Sequence, residues 1–230
     1  VNDLAVGDIY YARVRAYMTV NGKTIYSKWS DVGEATIYDK DINIGKVDPS
    51  KPMIAFSFDD GPAYDYKNSN STERILDVLE KYNARATFFM VGERVNSETK
   101  HLLDREIQNG CELGNHSYAH PNMKELSTDD GLAQFQMTDD LIAQYNNGQG
   151  ATVIRFPYGN STDELLASIG RPSIMWDVDT LDWQTKNVQA NISAVLDSVS
   201  PGDIILMHDI HETTVESVSY THLRAHETGR

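Results

Sequence analysis

At 230 residues and 40% hydrophobic content, the chain has material for one large domain, or for one domain and a fragment of another, which excludes a disordered protein. Its formal charge of −14 argues against a nucleic-acid or anionic-membrane binder, since both need clustered Lys and Arg. No apolar run approaches membrane-spanning length. The single Cys111 forms no internal disulfide and, within "NGCELG", reads as a small buried hydrophobe. The chain starts at Val1 without a signal peptide, which reads as a cut end.

Residues 1–38 have a strand rhythm. "DIYYARVRAYMTV", a turn at "NGK" and "TIYSKWSDVGEATIY" predict three short strands, with Asn21-Gly22 as a two-residue hairpin signal. Three strands close no sandwich core alone. The pieces "YYARVRAY" and "YSKWS" resemble the closing strands of a fibronectin type III domain, which implies a spacer or surface-binding module outside the cell. The polar, proline-bearing stretch 39–52 reads as a linker.

From Met53 the period changes to strand–helix alternation. The strand-like runs are "MIAFSF", "ATFFMVG", "CELGNHS", "ATVIRFPYG", "SIMWDVDTLDW" and "DIILMHD". Helical patterns such as "STERILDVLEKYN" separate them. Ser71 or Thr72 is placed to cap that first helix, and Gly110, Gly148 and Gly170 follow the last turns of later ones. Such alternation predicts a parallel sheet or barrel covered by helices. After "HETTVESV" the polar tail "SYTHLRAHETGR" has no apolar period, so the last helix–strand unit is expected to be missing.

The unusual polar residues fall at the carboxyl ends of these strands, the face on which barrels build their sites. Asp59 and Asp60 end the first strand, and His116 and His120 the third. Arg155 and Tyr158 end the fourth, Asp179, Asp182 and Trp183 the fifth, and His208 the sixth. "HSYAH" spaces two imidazoles so that a helix or tight loop can aim both at one metal. "HLRAH" in the tail, His222 and His226, has the same spacing but follows no strand and has no acidic partner in a comparable position. Two adjacent carboxylates repel unless a cation compensates. Asp60 with His116 and His120 would hold Zn²⁺ by three protein ligands and leave a position open, the layout of a catalytic site. Asp59 is then free to act as base, provided the strand bends at Gly61-Pro62 to bring both carboxylates to one site. His208 is a candidate general acid, oriented by Asp179 or Asp182. Arg155 can pair with Asp59, a backbone N–H near Tyr158 can hold an oxyanion, and Tyr158 and Trp183 offer aromatic faces to a sugar ring.

As a set, "SFDDGP", "HSYAH", "RFPYG", "DTLDW" and "LMH" resemble the five motifs of the polysaccharide deacetylases of carbohydrate esterase family 4, the NodB-homology domain, over residues 53–218. The resemblance implies an irregular (β/α)7-type α/β barrel that hydrolyses N-acetyl, or sometimes O-acetyl, groups on polysaccharides. It implies Asp59 as base, Asp60, His116 and His120 as ligands of Zn²⁺ or Co²⁺, and Arg155 steadying the base. It further implies Tyr158 as oxyanion donor, Asp182 beside the acid His208, and Trp183 and Leu206 lining the substrate pocket. Ser57 stands where Thr is commoner, and residues 219–230 resemble no part of the family. The expected substrate is N-acetylglucosamine in peptidoglycan at an extracellular or cell-surface location, with chitin oligomers and acetylated xylan as alternatives. The rival reading is a non-enzymatic carbohydrate-binding surface module.

Overall fold

The computed structural model describes residues 9–12, 17–20, 23–26, 28, 33–36, 53–65 and 69–228, of which 9–12, 17–20, 23–26, 33–36 and those after 221 by backbone alone. The chain divides into two compact units, Val1–Asn43 and Ile44–Arg230. Among its described residues the first unit has four strands where three were expected: β1 (Ile9–Ala12), β2 (Tyr17–Val20), β3 (Lys23–Tyr26) and β4 (Gly33–Thr36). β1 pairs antiparallel with β4, and β2 with β3. The long first run is thus divided between two sheets, a break that continuous strand propensity does not reveal. The β2–β3 register sets Val20 opposite Lys23, while Asn21 and Gly22, the expected hairpin turn, lie outside the described residues. The stretch 39–52 and the side chains of His222 and His226 lie outside the described residues.

The second unit is built on a parallel six-stranded sheet in the order β8-β7-β6-β5-β10-β9. Its strands are β5 (Ala55–Asp59), β6 (Ala86–Met90), β7 (Glu112–Asn115), β8 (Val153–Ile154), β9 (Val178–Asp179) and β10 (Ile204–His208). All six expected strand positions are occupied. The sheet is not closed, and β8 and β9 form its edges. Helices α1 (Ser71–Lys81), α2 (Lys100–Gln108), α3 (Thr128–Tyr145), α4 (Asp163–Ser168), α5 (Asp182–Thr185), α6 (Val188–Ser198) and α7 (Glu212–Thr228) fill the connections.

Period-two alternation sorts the side chains of the central strands. Phe56 and Phe58 of β5, Phe88 and Met90 of β6, and Ile205 and Met207 of β10 join one core with Ile75, Leu76 and Leu79 of α1 and Leu102 and Leu103 of α2. The intervening residues Ser57 and Asp59 of β5, Phe89 of β6, and Leu206 and His208 of β10 stay out of that core. Ser57, Asp59 and Phe89 instead meet Arg155. The face of the sheet away from the main core is therefore where the polar residues collect.

Two local expectations change. The α1 cap position is Asn70, because the hydroxyls of Ser71 and Thr72 are engaged elsewhere. Ser71 meets Ser69, while Thr72 accepts from the Ala63 amide at 2.7 Å and donates to Asp209 at 2.5 Å. The tail 219–230, expected to lack a helix, continues α7 as far as Thr228, and no seventh strand follows among the described residues. The helix's buried positions Thr214, Val215, Ser217, Val218 and Thr221 include three hydroxyl residues, so an apolar period is not visible. Two of those hydroxyls are satisfied within the helix: Ser217 donates to the Thr213 carbonyl and Thr221 to the Ser217 carbonyl. Gly110, Gly148 and Gly170 take φ of 73°, 81° and 69°, as helix-ending glycines do. Cys111 is buried, and burial pushes its thiol up to about 12, so it is an inert filler. No helix among the described residues is long and apolar enough to cross a membrane.

Candidate active site

The site begins where β5 ends. Asp59 is still in strand geometry, whereas Asp60 takes a left-handed φ of 77°. The bend thus starts at Asp60, one residue before the expected Gly61-Pro62, and it separates the neighbouring carboxylates. Asp59 is almost fully buried and accepts from Arg155 Nη1 at 2.7 Å. Asp60 points at the histidines, with Oδ1 3.3 Å from His120 Nε2 and 3.7 Å from His116 Nε2. Burial raises the Asp60 carboxyl. The fields of His116, His208, His120 and Arg94 outweigh burial and hold it below the usual carboxylate range.

Asp60, His116 and His120 present ligand atoms that all lie within 4.8 Å of one another. Two imidazoles and a carboxylate are a donor set suited to a divalent transition metal. The tautomer fits as well. His116 Nδ1 donates to the Arg155 carbonyl at 2.8 Å, which leaves the Nε2 lone pair facing Asp60. Burial lowers the pKa of His120 and so favours the neutral ring that a metal needs. Asp59 Oδ2 lies 3.5 Å from His116 Nε2, beside the triad.

Arg155 is the largest fully buried side chain, and every part of its fork is engaged. Nη1 donates to Ser57 Oγ at 2.9 Å as well as to Asp59, Nε donates to the Ile174 carbonyl at 2.9 Å, and Nη2 to the Met175 carbonyl at 3.1 Å. Its guanidinium carbon stacks 4.2 Å from the Phe89 ring. A buried cation so fixed holds the adjacent carboxylate in one orientation.

Between Asp179 and Asp182, it is Asp182 that meets His208. Asp179 instead accepts from the Leu181 amide at 2.8 Å. Asp182 is fully buried. Its Oδ1 accepts from His208 Nδ1 and from the Trp183 amide, each at 2.8 Å; its Oδ2 accepts from the His208 amide at 2.8 Å and from Thr214 Oγ1 at 2.6 Å. Burial disfavours the imidazolium, but the Asp182 bond and charge, helped by Asp59 and Asp60, raise His208 to about 9. His208 is therefore a cation at neutral pH, with Asp60 and the triad within its electrostatic reach.

Tyr158 sits in the short turn Pro157–Gly159 with φ 59°, 63% exposed, its ring edge-on to His120 at 4.6 Å. The turn's own bonds come from the Gly159 and Asn160 amides. Trp183 is 48% exposed, while Leu206 is buried. Asp60, Ser117, His120, Tyr158 and Leu181 all have positive φ, so strained non-glycine backbone gathers in the loops that carry the site.

Residues 46–171 match the family model for polysaccharide deacetylase. The chain belongs to the polysaccharide deacetylase family. Among curated family members, it is 39% identical to the peptidoglycan-N-acetylmuramic acid deacetylase PdaC of Bacillus subtilis, over 74% of this chain and 35% of that protein. It is 38% identical to the peptidoglycan-N-acetylglucosamine deacetylase PgdA of Listeria monocytogenes, over 73% of this chain and 34% of that one. The chain thus spans about a third of the length of these relatives. The solved structure of PdaC superposes with a TM-score of 0.74 at 37% identity, covering 80% of this chain and 87% of that one.

Sequence reasoning missed several residues around this candidate site. Arg94 donates to the Asp60 carbonyl, and Thr214 completes the ring of donors on Asp182. Asp209 is buried behind the turn, where burial pushes its carboxyl up to about 7. It lies so close that a Cβ on Gly61 would come within 2.1 Å of its Oδ2. The only sequence signal for Asp209 is its position directly after His208. Arg94 and Thr214 lie on a connecting turn and a late helix, where a charged or hydroxyl residue looks ordinary.

Proposed function

We propose that this chain is a metal-dependent hydrolase that removes acetyl groups from N-acetylglucosamine residues of a polysaccharide, peptidoglycan. The observation that carries the reading is the pairing of Asp59 with a buried Arg155 while its neighbour Asp60 faces two histidines. One carboxylate is held by a buried guanidinium and the other is directed to a metal. Asp60, His116 and His120 would hold the ion, Zn²⁺ by donor set and Co²⁺ as the alternative. Bound there, it supplies a Lewis acid that polarises the acetamide carbonyl and acidifies a water.

The chain's own groups do the rest. Asp59, oriented by Arg155, accepts the proton of the attacking water as the new carbon–oxygen bond forms. The Tyr158 amide donates to the developing oxyanion. His208, kept protonated by Asp182, gives its Nε2 proton to the leaving amine as the carbon–nitrogen bond breaks, releasing acetate and a free amino sugar. Tyr158 and Trp183 provide exposed aromatic surface for the sugar ring, and Leu206 an apolar wall for the acetyl methyl.

The substrate reading rests on relatives named for peptidoglycan, and it implies an extracellular or surface location. The fibronectin type III-like strands before residue 39 and the linker over 39–52 fit a multidomain surface enzyme with its catalytic domain over 53–218. The test is acetate release by the full chain with Zn²⁺ from peptidoglycan, chitopentaose and acetylated xylan. Release from peptidoglycan above the other two, abolished by a chelator, is expected. Tight glycan binding with no acetate from any of them would favour a carbohydrate-binding module instead.

A further inference from the structure

We propose that Asp139, on a helix that supplies no metal ligand, is a positioning residue for the metal site, acting through Asn115 on the loop that carries both histidines. The inference rests on the reading of Asp60, His116 and His120 as the ligands.

The loop from His116 to His120 adopts a conformation its residues do not favour. Ser117 and His120 have φ of 73° and 54°, and neither is glycine. Such geometry persists only where the surroundings over-determine it. The restraint at Ser117 is a hydrogen bond from its amide to Asn115 Oδ1 at 2.9 Å, and the Ser117 hydroxyl in turn accepts from the His120 amide at 3.2 Å. Asn115 therefore controls the first left-handed step directly, and the second through Ser117.

Asn115 is fully buried at the end of β7. Its amide nitrogen donates to the Phe135 carbonyl and to Asp139 Oδ1, each at 2.8 Å. Both acceptors lie on α3. A side-chain amide has one accepting and one donating end. The carboxylate draws the donating end, so the carbonyl end is presented to Ser117. Asp139 is itself clamped: Arg171 donates to both of its oxygens, and the Ala151 amide donates to Oδ1 at 3.2 Å. Arg171 Nη1 also donates to the Ala151 carbonyl at 2.6 Å, which closes the bracket. The chain of contacts runs from Arg171 to Asp139, Asn115, Ser117 and His120. Removing partners that orient metal ligands characteristically weakens metal affinity by about 10- to 100-fold.

The test strips the full chain of metal and titrates Zn²⁺ in competition with a chromophoric chelator, alongside thermal unfolding of each metal-free form. Asp139→Ala is expected to weaken Zn²⁺ binding at least about tenfold. Asp139→Asn keeps an acceptor for Asn115 and should stay within about threefold of wild type. Arg171→Ala leaves that acceptor in place, so it should lower the melting temperature with an affinity change of similarly small size. Wild-type affinity in a folded Asp139→Ala overturns the proposal, as does an affinity loss in Arg171→Ala equal to that of Asp139→Ala. Asn115→Ala cuts the same chain nearer the loop and should lose as much as Asp139→Ala. Unchanged affinity in it overturns the proposal even if Asp139→Ala does not fold. A wild-type protein that binds no Zn²⁺, or binding that survives His116→Ala, defeats the ligand assignment itself and is read separately.

Discussion

Replacing Asp182 by Asn removes the charge that keeps His208 protonated while changing almost no volume. In the wild type, burial opposes the imidazolium, and the Asp182 hydrogen bond and charge reverse that to give a value of about 9. Without the carboxylate, only Asp59 and Asp60 oppose burial, and His208 should titrate near its ordinary value of about 6.5. The change of roughly 2.5 units corresponds to about 3 kcal/mol at 1.36 kcal/mol per unit. The direct assay is an NMR titration of the metal-free protein, which reads His208 without a competing cation. The stability consequence has a definite sign. A raised histidine pKa contributes stability that is complete below about 6.5 and is lost as pH rises through about 9. Wild-type unfolding free energy should therefore fall over that interval, while the Asp182→Asn protein lacks this fall. In turnover, the alkaline limb of kcat should move down in pH, costing about tenfold at pH 7.5. A wild-type His208 that titrates near 6.5, or a mutant that still titrates near 9, refutes the reasoning.

Arg155→Met leaves Asp59 buried without its cation. It should cost about 3–5 kcal/mol of stability by urea unfolding and reduce kcat at least about 100-fold in acetate release. Gly61→Ala drives a methyl into the Asp209 carboxylate and should destabilise the protein by about 1–3 kcal/mol, a loss that Asp209→Ala in the same chain should partly relieve. Val218→Asp puts a charge at a fully buried position of α7 and should prevent cooperative thermal unfolding, whereas an exposed tail would tolerate it.

The motif residues were legible because strand chemistry made them so. In "MIAFSFDDGP" the alternation assigns Phe56 and Phe58 to one face and Ser57 and Asp59 to the other, and Arg155 then completes the second face. Five strand ends bearing polar groups pointed to one edge of a parallel sheet, and the structure brings Asp60, His116 and His120 together there. Residue spacing alone left Asp179 and Asp182 open, and it was the motif resemblance that named Asp182; in the structure the turn at Leu181, φ 54°, lets Asp182 reach His208. The position of the bend was missed by one residue because Asp60, rather than the glycine, takes the left-handed step. Helix α7 was hidden for a different reason: Thr and Ser fill buried positions by bonding to their own helix, which leaves no hydrophobic period to detect. Asp139 and Asn115 carry no motif at all. Their relation exists only once α3 packs beside β7.

The central claim is that two adjacent carboxylates have separate tasks, one to hold the metal and one to take a proton. Zn²⁺ affinity and acetate release, measured on the same preparations of Asp59→Asn and Asp60→Asn, test it most directly. The account predicts that Asp59→Asn binds Zn²⁺ within about threefold of wild type yet releases no acetate, while Asp60→Asn loses affinity by at least about tenfold. Acetate release at the wild-type rate by Asp59→Asn, or undiminished Zn²⁺ binding by Asp60→Asn, would contradict it.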